Sequence, residues 1–553
     1  MAKSLKIIPL GGLNEIGKNM TAYEYGNDII VVDAGVAFPD DEMFGVDLVI
    51  PDISYLIKNK KRVRAIFITH GHEDHIGAIP YVMRDLDCPI YCTRLTAGIV
   101  EIRLIEHQML DRVELIRFDA GDVMEVGCFT VEAIHVNHSI ADAVAFAITS
   151  PAGVVVQTGD FKIDLTPIQG GMIDLTRFGE LGQMGVDLLL SDSTNVEREG
   201  YAMSERMVGR SLEALFDGCD KRIIVSTFAS NVHRIQQIIN AAYKYGRKVA
   251  VTGRSMENIL NVASGLGYID IPFDTLIDLN KIKQYPPNKL CIISTGSQGE
   301  PMSALYRMAF SGHRQITISD SDMVILSSSA IPGNEKSIYR LINELFRKGA
   351  EVVYEKLDAV HVSGHACKEE LKMILSLTKP KNFMPVHGEY RHLKTHATLA
   401  EMCGVNRKNI FLNEIGRVLE LYPDGTCKLN GTVPSGKLLV DGYGVGDVGS
   451  VVLRDRKLLS QDGLITVVVA ISSADGSLVA GPDIVSRGFV YMKEAEELLD
   501  EIRQTVIETV GACQRMNIAD PITIKGNISD EVKEILYHKT KRSPMVLPVV
   551  MVV

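Results

Sequence analysis

The chain has 553 residues, 46% of them hydrophobic and 23% charged, the balance of an ordinary folded protein and too long for a single core. No run reaches the roughly 18 apolar residues of a transmembrane helix, and Met1-Ala2-Lys3-Ser4 leads into a strand instead of a signal-peptide core, so a cytoplasmic protein without a membrane partner is expected. A net charge of −11 argues against indiscriminate nucleic-acid binding over the whole surface, and nine cysteines, scattered singly apart from Cys88 and Cys92, form neither a disulfide framework nor paired zinc spacing.

Residues 5 to 35 read as strands joined by the loop Gly11 to Asn19, and Ile29-Ile30-Val31-Val32 delivers Asp33-Ala34-Gly35. The apolar run Ala65-Ile66-Phe67-Ile68 is short and without alternation, which predicts a strand buried on both faces. It opens into Thr69-His70-Gly71-His72-Glu73-Asp74-His75. Three imidazoles and a carboxylate at one strand end suit zinc, and their density favours two adjacent ions over one closed four-ligand site. Helix-like spacing follows over Ile76 to Leu86.

Later strand ends repeat the arrangement. His135-Val136-Asn137-His138 precedes a hairpin that ends in Thr158-Gly159-Asp160; Val186 to Leu190 runs into Ser191-Asp192-Ser193-Thr194; Phe383-Met384-Pro385-Val386 runs into His387. An Asp after a strand is common in turns. Repetition of ligand-type side chains at strand ends is what points to one converging site.

Between Asp192 and His387 the rhythm changes to strand, polar loop and helix. Arg222 to Thr227 leads through Ser230-Asn231 to a helix, Leu290 to Ser294 through Thr295 to Gly299, and Val324-Ile325-Leu326 through Ser327-Ser328-Ser329. This predicts an inserted parallel α/β layer, whose hydroxylic loops at helix N-termini suit phosphate, with ordinary capping as the plainer reading of any one loop. After the turn-rich Val440 to Gly446, a last unit holds a strand over Leu464 to Ile471, an acidic helix from about Lys493 to Val510, a helix around Val532 to His538 and an apolar strand from Met545 to Val553. The expected division is 1–205 and 361–440 for a discontinuous core, 206–360 for the insert, 441–460 for a linker and 461–553 for a C-terminal domain.

The pattern His70-x-His72-x-Asp74-His75 resembles the signature of the metallo-β-lactamase fold. A core of that kind with an α/β insert before its last histidine resembles the β-CASP nucleases, and the segments Gly11 to Asn19, Gly159 to Lys162, Leu190 to Asn195, Gly253 to Asn258, Thr295 to Pro301, Ile331 to Asn334, His361 to His365, Pro385 to Arg391 and Gly481 to Tyr491 are similar to those of the bacterial ribonuclease J family. The resemblance implies an αββα sandwich with a β-CASP insert and a small C-terminal α/β domain. It implies one zinc on His70, His72 and His138, another on Asp74, His75 and His387, and Asp160 bridging them. Catalytic roles are implied for Asp74, Asp192 and His365, and RNA contacts for Ser230, Asn231, Val232, His233, His361, Val362, Ser363, Gly364 and His365. A structural calcium near Gly45, Asp47 and Asp441 is a further implication. Three positions depart from the family pattern: Ala366 and Cys367 where glycine and a polar residue are usual, and Gln157 in place of a histidine. Every implied ligand is intact, as in the active type of the family.

The expectation is therefore a ribonuclease with 5′→3′ exonuclease and endonuclease activity, preferring 5′-monophosphate RNA, in mRNA decay and rRNA maturation. It would form a homodimer or higher oligomer, with a paralogous subunit or an RNA-degradation complex as further partners. The rival expectations are a small-molecule hydrolase on the same metal core and a non-catalytic scaffold in an RNA-processing complex.

Overall fold

In the computed structural model, Val63–Phe67 is a strand whose neighbours on both sides are parallel, and Ala65, Ile66 and Phe67 are all fully buried. The uninterrupted apolar run is thus what a strand covered on both faces requires. The structure describes residues 3–40, 42–331, 334–355, 360–442, 444–489 and 496–553. Two compact units divide the chain: 1–38 with 49–438, and 39–48 with 439–553.

The larger unit contains an eight-stranded sheet in which Leu5–Gly11, Met20–Tyr25, Asp28–Val32 and Val63–Phe67 are successive neighbours. A six-stranded sheet faces it, with Asn382–Val386, Leu188–Asp192 and Gly153–Gln157 as parallel neighbours, followed by Val144–Ser150. Leu5, Ile7, Tyr23, Phe67 and Ile30 of the first sheet share one core with Phe146, Ile148, Leu188 and Leu190 of the second. Helices Leu175–Met184, Lys368–Thr378 and Tyr390–Met402 cover the other face of the second sheet, burying Phe178, Ile374 and Leu399 against Val156, Leu189 and Phe383. This is the αββα sandwich.

The insert is a five-stranded, wholly parallel sheet in the order Lys248–Thr252, Leu290–Ser294, Arg222–Ser226, Asp322–Leu326, Glu351–Val353. Its first and last strands were not anticipated from the sequence. They are the two edges of the sheet, and Glu351–Val353 is only three residues long. Helix Val232–Lys244 follows Arg222–Ser226, buries Ile235, Ile238, Ile239 and Ala242, and is capped by the Asn231 side chain on the Arg234 N–H.

The smaller unit has a three-stranded sheet with Leu464–Ile471 in the middle, antiparallel to Leu478–Arg487 and parallel to Met545–Val552. Helices Glu496–Arg515 and Pro521–Thr540 pack on it; in the second, Ile524, Ile528, Val532 and Leu536 recur every fourth residue and are all fully buried. That helix is far longer than Val532 to His538. Gly526 and Asn527 weaken its propensity, but Pro521 starts it and Asp520 caps it through the Thr523 N–H. A helix, Ser450–Gln461, occupies most of the stretch expected as a linker. The expected helix start at Lys493, and Tyr491 and Tyr443, lie outside the described residues. Expected helix Ile76 to Leu86 is two short turns, Glu73–Ile76 and Ile79–Val82, separated by Gly77 and Ala78. Among the described residues no helix is long and apolar enough to cross a membrane.

Candidate metal centre

Parallel neighbours end at the same edge, so Asp160, Asp192 and His387, which end or follow Gly153–Gln157, Leu188–Asp192 and Asn382–Val386, emerge side by side. His138 follows Phe129–His135, while His70, His72, Asp74 and His75 arrive from the facing sheet through Val63–Phe67. Three overlapping groups result: the first of His70, His72 and His138, the second of Asp74, His75, Asp160 and His387, and a third in which Asp192 and His365 join Asp160 and His387.

In the first group His72 Nδ1 lies 3.1 Å from both His70 Nε2 and His138 Nε2. A tetrahedral zinc with bonds of 2.0–2.1 Å to nitrogen would place its ligands about 3.3 Å apart, so these three nitrogens already stand at ligand spacing. Burial pushes the His70 and His138 imidazolium forms well down and takes His72 to about 4. The rings are therefore neutral near pH 7, as metal ligation requires. In the second group His387 Nε2 is 3.3 Å from Asp74 Oδ2, and His75 Nε2 is 3.6 Å from the same oxygen and 3.3 Å from Asp160 Oδ2. Burial works against charge on His75, but Asp160, Asp74 and Asp33 outweigh it and hold the imidazolium well above the usual range. A cation would take the place of that proton. Asp160 Oδ2 also lies 3.7 and 3.8 Å from His70 and His138 Nε2, so its carboxylate stands between the groups. The donor set fits a divalent metal.

Groups behind the ligands fix their rings, and most carried no signal of their own. Asp33, at φ +64°, takes the Thr69 N–H and stands 2.8 Å from His75 Nδ1. Thr69 Oγ1 meets His70 Nδ1 at 3.0 Å, Thr194 Oγ1 meets His387 Nδ1 at 3.0 Å, and the Gly364 carbonyl accepts from His138 Nδ1 at 2.8 Å. Such contacts set which nitrogen faces the metal. A Cβ on Gly364 would sit 2.7 Å from the His138 ring, which accounts for glycine there. His365 Nδ1 is 2.8 Å from Asp192 Oδ2, while Asp192 Oδ1 accepts from the Thr194 N–H and hydroxyl.

The residues expected to contact RNA divide. Val232 and Val362 are buried in the core, and the Val232 N–H donates to the Ser230 carbonyl, so neither side chain faces a ligand. Asn231 caps its helix, and Ser363 Oγ accepts from Asn195 Nδ2 and the His365 N–H. Ser230 remains half-buried with no side-chain partner among the described residues, and the buried Nε2 of His233 and Nδ1 of His361 are likewise without one. His233 and His138 of the first group line one cavity of about 240 Å³ with Lys162, Asp164, Glu205 and Tyr268. Several hydroxylic loops of the insert bond within the protein: Thr227 Oγ1 to Ser327 O, and Gln298 Nε2 to Ser328 Oγ. Ordinary structural bonding is the better account of those. The departures have local roles, since Gln157 Oε1 accepts from Tyr23 Oη at 2.6 Å and Cys367 caps Lys368–Thr378 with Glu370.

Near Gly45, Asp47 accepts from the Gly442 N–H and Asp441 is paired with Arg456 Nη2, whose Nη1 donates to the Phe44 carbonyl. A guanidinium already neutralises the carboxylate expected to hold calcium.

Family models match along the chain: "Metallo-beta-lactamase superfamily" over 13–168, "Ribonuclease J, beta-CASP domain" over 220–345, "Zn-dependent metallo-hydrolase RNA specificity domain" over 349–411 and "Ribonuclease J C-terminal domain" over 451–553. Ribonuclease J2 of Bacillus subtilis (strain 168) is 42% identical over 549 residues, covering 99% of both chains. The chain belongs to the ribonuclease J family. Ribonuclease J 1 of Streptococcus pyogenes is 42% identical, covering 99% of this chain and 97% of its own, and ribonuclease J of Helicobacter pylori (strain J99) is 41% identical, covering 98% and 79%. A solved structure of a protein of unknown function from Enterococcus faecalis V583 matches with a TM-score of 0.56 at 19% identity, covering 76% of this chain and 100% of its own, which speaks to the fold alone. As a member of the ribonuclease J family the protein is a metal-dependent ribonuclease with the expected αββα, β-CASP and C-terminal parts.

Proposed function

We propose that this ribonuclease J family member works with two zinc ions as a 5′→3′ exoribonuclease with endonuclease activity, on RNA bearing a 5′-monophosphate, in cytoplasmic mRNA decay and rRNA maturation. The observation that carries this reading is the two adjacent groups, His70, His72 and His138 beside Asp74, His75 and His387, with the Asp160 carboxylate standing between them. His70, His72 and His138 would hold one ion, Asp74, His75 and His387 the other, with Asp160 between them. Bound there, the ions supply the positive charge that makes water a strong nucleophile near neutral pH and stabilises the phosphoryl oxygens.

His365 donates from Nδ1 to Asp192, which leaves Nε2 as the atom that offers a proton to the departing 3′ oxygen. Burial opposes the His365 imidazolium, yet Asp192 and Asp160 hold it above the usual histidine range. The proposed RNA contacts are Ser230, Asn231, Val232, His233, His361, Val362, Ser363, Gly364 and His365, of which Ser230, His233, His361 and His365 would act through their side chains. Calcium at Gly45, Asp47 and Asp441 has no support from the Arg456 pairing. The boundaries 1–205, 206–360, 361–440 and 461–553 remain the proposed working division of the chain.

The Ser230 hydroxyl, without a side-chain partner among the described residues and beside the N-terminus of Val232–Lys244, suits a terminal phosphate. Ser230→Ala should weaken 5′-dependent exonucleolysis about tenfold, or about 1.4 kcal/mol, while sparing internal cleavage. The test compares end-labelled 5′-monophosphate and 5′-triphosphate RNA with wild type and variant. Equal wild-type rates on the two, or equal losses of exo and endo cleavage in the variant, would remove the end-reading pocket from the proposal.

Self-association is also proposed, supported by Met545–Val552, an edge strand carrying Leu547, Met551 and Val552 about half exposed. Copies of this chain or of a paralogous subunit would cover that edge, within an RNA-degradation complex. Sedimentation of the full chain should give at least a dimer mass, falling towards monomer after truncation at Val445; a monomeric full chain would contradict it.

A further inference from the structure

Arg234 lies on an insert helix, yet its side chain is fully buried and reaches both places where the chain crosses between core and insert. Its Nε donates to Glu205 Oε1 at 2.5 Å, at the crossing into the insert. Its Nη1 donates to the Val360 carbonyl at 2.9 Å, at the crossing back, and to the carbonyl and hydroxyl of Ser327, just after strand Asp322–Leu326. Glu205 is held from the core side as well, because its N–H donates to Asp164 Oδ2 at 3.1 Å, four residues after Asp160. Its carbonyl accepts from Gln237 Nε2, one turn along the Arg234 helix.

Stability alone is a poor explanation for this arrangement. A buried ion pair gains little over apolar residues of the same size, and Arg234 Nη2 is buried with no partner among the described residues. What a guanidinium does that an apolar side chain cannot is bond three separate segments in fixed directions.

We propose that Arg234 is a positioning residue that pins the insert at a fixed attitude over the metal centre, so that RNA meets a cleft already shaped to take it. The proposal rests on the ribonuclease reading of that centre. Lysine at this position keeps the charge beside Glu205 but cannot reach Ser327 and Val360 at the same time. In Arg234→Lys the insert then spends only part of its time in the binding-competent attitude, and apparent affinity falls by that fraction. Bound RNA restores the attitude, so turnover at saturation stays the same.

The experiment measures KM and kcat on a 5′-monophosphate RNA, and the rate on bis(p-nitrophenyl) phosphate, a diester too small to span core and insert. Arg234→Lys should raise KM for RNA about tenfold, leave kcat within twofold, and leave the small-diester rate and metal content at wild-type values. Ser327→Ala, which removes one hydroxyl from the same joint, should raise KM in the same direction by a few fold and serves where Arg234→Lys does not fold. An unchanged KM, or kcat falling with KM constant as loss of folded protein would give, overturns the pin. A wild-type enzyme that cleaves neither substrate with metal present overturns the ribonuclease reading instead.

Discussion

Replacing His72 by alanine should lower RNA hydrolysis about a thousandfold or more, roughly 4 kcal/mol of lost transition-state stabilisation, while the protein stays folded. Its ring supplies Nδ1 to a trio whose other nitrogens are both 3.1 Å away, and removing one of three ligands leaves a site that cannot hold its ion in register. The backbone at this position keeps its role, because the His72 carbonyl accepts from the His75 and Ile76 N–H groups whatever the side chain. Thermal unfolding of metal-free wild type and His72→Ala should therefore coincide within a few degrees. Full activity in a preparation of the variant whose metal content has been measured would remove His72 from the centre.

His365→Ala should cost about a hundredfold to a thousandfold without loss of metal, the ordinary size of a general-acid contribution. Asp192→Asn is the more informative change. An amide in place of the carboxylate withdraws the charge that, with Asp160, holds the His365 imidazolium above its usual range. Its pKa then falls, the protonated form disappears at lower pH, and the alkaline limb of the kcat profile moves towards acid. An alkaline limb that does not move in Asp192→Asn would show that His365 is not the proton donor.

How far these features were legible depends on what kind of signal each leaves. His70, His72, Asp74 and His75 are dense and follow a strand that is apolar throughout, so both their type and their place could be read. Asp160, Asp192 and His387 could be read because three apolar strands end in the same kind of side chain, and the parallel register then brings them together. The orienting groups were hidden for physical reasons. Asp33 looks like any turn aspartate, Thr69 and Thr194 like any hydroxyl in a loop, and the carbonyl of Gly364 belongs to the backbone and has no residue signature at all.

Two valines expected near RNA, Val232 and Val362, are core residues, since a contact segment taken whole includes the side chains that point inward. Arg234 was passed over for the opposite reason. An arginine in the first turn of an amphipathic helix reads as a solvated face, and only the fold reveals that this one lies where the insert joins the core. The length of Pro521–Thr540 was underestimated because local propensity around Gly526 is weak, whereas four apolar residues at fourfold spacing, packed on a sheet, override it.

The central proposal is that His70, His72 and His138 hold one metal ion and Asp74, His75 and His387 a second, with Asp160 between them. The most direct test is to strip the protein of metal, add zinc back in measured equivalents, and follow cleavage of end-labelled 5′-monophosphate RNA together with bound metal at each step. The account predicts negligible cleavage without metal, activity that rises to a plateau at two equivalents per chain, and loss of both the second equivalent and the activity in Asp160→Ala. Cleavage that persists in the metal-free protein, or an Asp160→Ala variant that binds two equivalents and cuts RNA at the wild-type rate, would contradict it.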